Sequence, residues 1–497
     1  MNPASPKPAP TPARHLPSDT EQLLEARAGD GRSRVGIYFR LLGPGWLQSA
    51  LKLGGGTMTA SLYLGVVSGF SLLWVQPLAL FLGIIMLWGL GYVVMSTGLR
   101  PFRAITDHVN PVLGWGWVLA ALASSMIWDL PQYTMTHGVV AQNLLPAVFG
   151  DGAILGGVGG KVVVSALVLV FCTAVAWSYD VERPASRVFD NILQAMVWLI
   201  TISFIGVVAK LSWSADLDLG AALKGLLWPD FSLLNSPTKT FEPLLAQLGA
   251  AERIFWERTM VGTQRDLIIA SAAGVAGVNG TLLFGYSVLR RKWGREFLLF
   301  SRVDLLMGML LPVTIASSCV VIAGAHQFHT VVQESLVAPA ESEVQPPAKQ
   351  VLEYEQILSA RVRYSAGQAG ETLTDAEAAA RVAGLSTAEK RLAAAMVTRD
   401  AYELAASLEP LTGAVLAHFV FGLGVVGMCV SSIILHMTVC GIIFCEMRNL
   451  PHGGLTYRLG SLAASVGVLG PFIWDKAAFW LAIPVAVFSY TLIPLTY

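Results

Sequence analysis

The chain has 497 residues, of which 54% are apolar and 13% charged, with 33 Lys and Arg against 33 Asp and Glu. Repeated apolar stretches of about twenty residues exclude an ordinary soluble domain and indicate an all-α polytopic membrane protein with the lipid bilayer as its surroundings. The balanced charge offers nothing to a nucleic-acid partner.

Residues 1–40 are rich in Pro, Ala and charge and lack a continuous apolar core, so they read as a disordered tail with no cleaved signal. Ten apolar segments follow, near 43–68, 71–95, 115–146, 161–179, 188–210, 266–289, 303–325, 412–440, 456–473 and 477–496. Five cysteines, Cys172, Cys319, Cys429, Cys440 and Cys445, are scattered through these segments without metal-finger spacing and read as packing residues.

The link between the sixth and seventh segments carries Arg290, Arg291, Lys292, Arg295 and Arg302 against Glu296, which places it in the cytoplasm. With an even number of spans, both termini are then cytoplasmic, and a plasma-membrane protein is expected. Domain boundaries fall at 1–40 (tail), 41–328 (helices one to seven, with a long outer loop at 211–264), 329–410 (an extracytoplasmic insertion) and 411–497 (helices eight to ten). The insertion holds seven Lys and Arg against twelve Asp and Glu. Two capping-box patterns, Thr374 with Glu377 and Ser386 with Glu389, predict helices within it. It reads either as a small helical cap or as a flexible insertion without function.

The first segment contains "SALKLGGGTMTA", residues 49–60. Each glycine weakens a helix by about 1 kcal/mol relative to alanine, so Gly54, Gly55 and Gly56 favour a break. In a bilayer, broken backbone is tolerated only where protein or a water-filled cavity satisfies it. The sixth segment repeats the feature in "AAGVAGVNGTLLFGYS", with Gly274, Gly277 and Gly280 around Asn279. Broken first and sixth helices at matching positions of two five-helix halves point to an inverted-repeat transporter with a midplane site. The other reading of such glycines is close helix packing.

Lys52 lies about 13 Å into the first segment, too deep to reach the surface easily. An ionisable residue at that depth is a functional candidate, and Asp129 in the third segment, at similar depth, is its expected partner in either a structural or a transport-linked pair. Gln48, Gln132, His137, Gln142, Asn143 and His436 are further polar residues near the midplane, the histidines being either proton relays or packing residues. Asp304, just after Arg302, reads as an interfacial pair.

The stretches "GPGWLQSALKLGGGTMTASLYLGVVSGFSLLWV" and "DAYELAASLEPLTGAVLAHFVFGLGVVGMCVSSIILHMT", with "WDLPQ", "VAGVNGTLLFGYS" and "YTLIPL", resemble the natural resistance-associated macrophage protein (NRAMP) family of proton-coupled divalent-metal transporters. The resemblance implies a LeuT-type fold of two inverted repeats of five helices. It also implies a metal-ion substrate, symported with protons, bound at the two breaks. The family's Asp-Pro-Gly-Asn is here Gly54-Gly55-Gly56-Thr57, and its Met-Pro-His-Asn is Asn279-Gly280-Thr281-Leu282. Gly54 thus replaces the binding carboxylate and Asn279 the soft thioether. A family histidine falls on Tyr286 and a family acid on Gln132, while Ala276 keeps the position that offers a backbone carbonyl.

These departures leave amide, hydroxyl and carbonyl oxygens, which compensate poorly for desolvating a divalent ion, so no metal ligand set is assigned. The substrate-binding candidates are Gly54, Gly55, Gly56, Thr57, Ala276, Asn279 and Thr281, and the coupling or gating candidates are Lys52, Asp129, Gln132 and Tyr286. A secondary transporter of a cation or of a small uncharged or anionic solute is expected, with a non-transporting receptor or scaffold on the same fold as the alternative. No cofactor is implied, and the absence of a nucleophile elbow, a zinc-protease helix or a phosphate loop argues against an enzyme.

Overall fold

The computed structural model describes residues 18–28, 31–150, 152–179, 185–214, 217–275, 277–338 and 346–474, and all the regular elements among them are helical. Among the described residues, six helical stretches are long and apolar enough to cross a membrane: Val75–Thr97, Pro111–Leu144, Gly157–Ser178, Val188–Trp213, Arg295–Phe328 and Val415–Met447. They correspond to the expected second, third, fourth, fifth, seventh and eighth spans. The tenth expected span lies outside the described residues. The ninth is a short helix, Gly454–Ser461, continued by a 3₁₀ run, Leu462–Leu469. The five cysteines are buried, and no disulfide joins them among the described residues.

The N-terminal region departs from expectation. Helices α1 (Asp19–Ala28) and α2 (Gly31–Leu41) occupy part of the stretch read as a disordered tail. Their anchors are tertiary: Trp293 Nε1 donates to Asp19 at 3.0 Å, Arg27 donates to the Glu296 carbonyl, and Leu23 and Ala26 are buried. The polar sequence alone gives no sign of those partners.

The first span is two helices, α3 (Pro44–Lys52) and α4 (Gly55–Ser68). Pro44 starts α3 with the φ a first turn needs, and its amide would be unpaired there in any case. Next come α5 (Val75–Thr97), α6 (Pro101–His108) and α7 (Pro111–Val139). Gly98 closes α5 in the left-handed conformation, φ 68°, and Asn110 caps α7 by accepting from the Val112 amide at 2.8 Å. Helices α8 (Gly157–Ser178) and α9 (Ala185–Ser214) complete this half.

The sixth span is likewise two helices, α10 (Ala250–Val275) and α11 (Val278–Arg290). α10 starts sixteen residues before the expected segment, so part of the presumed outer loop belongs to it. Hydropathy misses this extension because Glu252, Arg253, Glu257 and Arg258 interrupt its apolar residues, of which Phe255, Trp256 and Met260 pack within the protein.

Helices α12 (Leu298–Leu305) and α13 (Leu311–Phe328) flank a π-helical turn. Beyond them α14 (Ala348–Gln368), α15 (Asp375–Val382) and α16 (Thr387–Met396) form a small cap whose Tyr354, Leu358, Leu392 and Met396 pack against Phe255 and Trp256 of α10. The Thr374–Glu377 capping box is complete. At Ser386 the box is only half made, because Glu389 turns to Arg361, 2.6 Å away. Helix α17 (Ala401–Thr412) leads into α18 (Phe421–Met447), which packs against α3, α7, α8 and α9 at the centre of the molecule.

Candidate functional site

The backbone leaves helical geometry at Leu53 and Gly54, which take extended conformations between α3 and α4. Side chains inside the protein satisfy the freed groups, as a hydrocarbon environment demands. Ser431 donates to the Ala50 carbonyl, and Ser432 Oγ lies 3.2, 3.3 and 3.1 Å from the carbonyls of Ala50, Leu51 and Leu53. Thr57 donates to the Lys52 carbonyl at 2.6 Å. On the other side, Gln132 Oε1 of α7 accepts the Gly55 amide at 2.6 Å, so Gln132 caps α4.

The glycines serve both of their anticipated purposes. A Cβ on Gly54 would fall 2.6 Å from Ser432 Oγ, and one on Gly56 would fall 2.7 Å from the Trp128 ring. Close packing against α18 and α7 is what holds the broken segment in place.

At the second break, Gly280 donates to Asn279 Oδ1 at 2.8 Å, and Gln48 of α3 donates to the Gly280 carbonyl at 3.0 Å. Thr281 donates to the Val278 carbonyl and accepts from Trp117 Nε1 at 3.2 Å. Lys52 crosses from the first break to the second: a Cβ on Gly280 would sit 2.9 Å from its Nζ, and one on Gly277 3.5 Å away. The site therefore needs small residues on α11 to admit the Lys52 head.

Between the breaks lies a cavity of about 30 Å³, lined by Lys52, Gly54, Gly56, Thr57 and Gln132 on one side and by Gly277, Asn279 and His436 on the other, with Trp128 and Leu51 as its apolar wall. A water occupies roughly 10–15 Å³ by this measure, so the space suits two waters or one compact solute. Lys52, Gln48 and Thr281 also border a neighbouring space of about 10 Å³. Ala276 lies outside the described residues.

The expected Lys52–Asp129 pair is not formed. Asp129 Oδ1 meets His436 Nδ1 at 2.6 Å, with both side chains buried, and His436 separates Asp129 from the cavity. Lys52, 4% exposed, makes no ion pair with a described residue. Asp304 is not an interfacial pair either. It is buried, and its two carboxylate oxygens accept the Gly43 and Gly45 amides at 2.9 and 2.6 Å, capping α3. Tyr286 stands apart from the cavity, beside the Phe102 amide at 3.4 Å and with its ring against His452.

Asn143 is buried and lies 3.4 Å from His418 Nδ1, away from the breaks, whereas Gln142 is exposed. Sequence reasoning missed Trp128, Ser431 and Ser432. The two adjacent serines in the apolar run "GMCVSSIILHM" are the signal that could have found them.

Among the described residues, no three His, Cys, Asp or Glu side chains come together as a metal cluster. The cavity lining contains no carboxylate and holds one lysine. Such a donor set suits a bare divalent cation poorly, because nothing anionic offsets its desolvation.

No family model matches the chain, and no curated protein matches it. Among solved structures, the chain is similar to a point mutant of the manganese transporter of Eremococcus coleocola at 12% identity and a TM-score of 0.44, covering 94% of this chain and 95% of that one. It is also similar to the same transporter in complex with an aromatic bis-isothiourea substituted compound, at 13% identity, a TM-score of 0.43 and the same coverage.

Proposed function

We propose that this chain is a secondary active transporter that works by alternating access, holding a small solute between the breaks of α3/α4 and α10/α11, with a LeuT-type arrangement of two inverted five-helix repeats. The observation that carries this reading is the convergence of both breaks on one buried polar cavity. Interrupted helices at membrane depth are tolerated where protein buries them or where they line a cavity, and paired interruptions of this kind frame transporter binding sites. Substrate contacts come from Gly54, Gly55, Gly56, Thr57, Ala276, Asn279 and Thr281. Lys52, Asp129, Gln132 and Tyr286 govern coupling or gating, Asp129 acting through His436. The protein sits in the plasma membrane with both termini in the cytoplasm, following the basic link between α11 and α12.

The metal ion and proton symport implied by the family resemblance fit less well than a solute that tolerates a lysine. Uptake by proteoliposomes of Mn²⁺, Mg²⁺ and small organic acids, with and without a pH gradient, tests the reading. Saturable uptake of at least one solute above empty liposomes is expected. Uptake equal to that of empty liposomes across the panel removes the transport reading, and saturable Mn²⁺ uptake overturns the argument from the donor set.

A further inference from the structure

We infer that the cavity at the two breaks binds a compact monoanion, held by the Lys52 ammonium, the Asn279 side-chain amide and the backbone amides of Gly56 and Thr57. The inference deepens the reading of this cavity as the solute site and rests on it.

Four donors border the cavity, and each is without an acceptor among the described residues. In α4 the first amide to find a helical acceptor is that of Met58, bonded to the Gly54 carbonyl at 2.9 Å, and the Gly55 amide is taken by Gln132. The amides of Gly56 and Thr57 therefore have no acceptor among the described residues, and both residues line the cavity. Asn279 commits Oδ1 to the Gly280 amide, which leaves Nδ2 as the donor on its cavity side.

Lys52 is the independent sign of a ligand. It is a cation 4% exposed that borders the cavity, without an ion pair or hydrogen bond to a described residue through Nζ. Asp129, which does not line the cavity, is occupied by His436. An uncompensated buried charge is costly, and an anion in the cavity supplies the missing counter-charge. The positive end of α4 acts in the same direction. The cavity of about 30 Å³ limits the anion to a halide, nitrate or formate and excludes a sugar acid.

The test uses the purified full chain in nanodiscs, with its thermal unfolding midpoint measured in sodium chloride, sodium nitrate, sodium formate, choline chloride and sodium gluconate at matched ionic strength. The expected result is a saturable rise that follows the small anion, is the same for sodium and choline, and is absent with gluconate. Lys52→Met is expected to abolish the rise, Asn279→Ala to weaken the apparent affinity about tenfold, and the exposed Lys349→Met to leave it unchanged.

No saturable rise, a rise that follows the cation, or one that survives Lys52→Met overturns the inference. If Lys52→Met does not fold, unchanged affinity in Asn279→Ala overturns it. Saturable anion binding without flux in proteoliposomes removes the transport reading and keeps the site. Flux of another solute without any anion effect does the reverse.

Discussion

His436 Nδ1 lies 2.6 Å from Asp129 Oδ1, joining α18 to α7 at the cavity wall, with both side chains buried. A second oxygen, Asp129 Oδ2, is buried without a hydrogen-bond partner among the described residues. Removing His436 would leave the carboxylate wholly uncompensated. His436→Ala or Asp129→Ala is expected to destabilise the protein by about 3 kcal/mol or more, while Asp129→Leu with His436→Leu recovers most of the loss. Unfolding midpoints of the singles and the double, arranged as a cycle, check this. By the same logic, neutralising Lys52 together with Asp129 gives additive losses and no rescue, because those two do not pair.

Gln132 has a separable structural task. Its Oε1 accepts the first amide of α4, while its Nε2 donates to the Trp128 carbonyl at 3.1 Å. Gln132→Ala strips an N-cap acceptor and is expected to cost about 1 kcal/mol. Gln132→Glu keeps the acceptor and adds a charge favourable to the α4 dipole, so its midpoint stays near that of the wild type. The added carboxylate faces the same cavity as Lys52 and should weaken small-anion binding. A Gln132→Glu variant that binds anions as the wild type does would argue that the charge of this cavity is irrelevant.

The cap helices should answer to pH in opposite directions. Glu377 is held below its ordinary 4.5 by the Thr374 amide and hydroxyl. Its contribution is complete above 4.5 and is lost as pH falls through the lower folded value. Glu403, at the start of α17, is pushed above 4.5 by burial and then by Asp400. Its contribution is complete below 4.5 and fades as pH rises through the higher folded value. Hydrogen exchange corrected for intrinsic rates should show α15 loosening with acid and the first turn of α17 loosening towards neutral pH. Parallel changes in the two helices would refute the assignment.

Much of the architecture was legible because it rests on local chemistry. Three consecutive glycines in an apolar run have few uses, and Gly54–Gly56 mark the first break where it occurs. Asn279 and Gly280 lie within three residues of the second. Pairing was less legible. Asp129 and Lys52 share a depth, but depth leaves the rotation of each helix about its own axis undetermined, and α18 inserts His436 between them. The extension of α10 escaped because Glu252, Arg253, Glu257 and Arg258 lower its hydropathy, while the cap that Phe255 and Trp256 pack against is distant in sequence. Helix α1 escaped for the same kind of reason, its anchor Trp293 lying 274 residues away.

Glycines elsewhere separate tight crossings from idle positions. In α4, a Cβ on Gly65 would fall 2.5 Å from the Val321 carbonyl and 2.8 Å from the Ala325 amide of α13, and backbone cannot yield as a flexible side chain can. In α5, a Cβ on Gly89 would meet nothing within 4 Å. Gly65→Ala is therefore expected to push α4 from α13 and destabilise by about 1–3 kcal/mol. Gly89→Ala removes chain freedom at no steric cost and should be neutral or stabilising by up to about 1 kcal/mol. Because α4 is the second part of the first broken helix and lines the cavity through Gly56 and Thr57, its displacement should also alter solute uptake, whereas Gly89→Ala should not. Thermal unfolding and uptake measured on both variants decide the matter. Equal stability of the two would mean that the α4–α13 crossing is looser than these distances require.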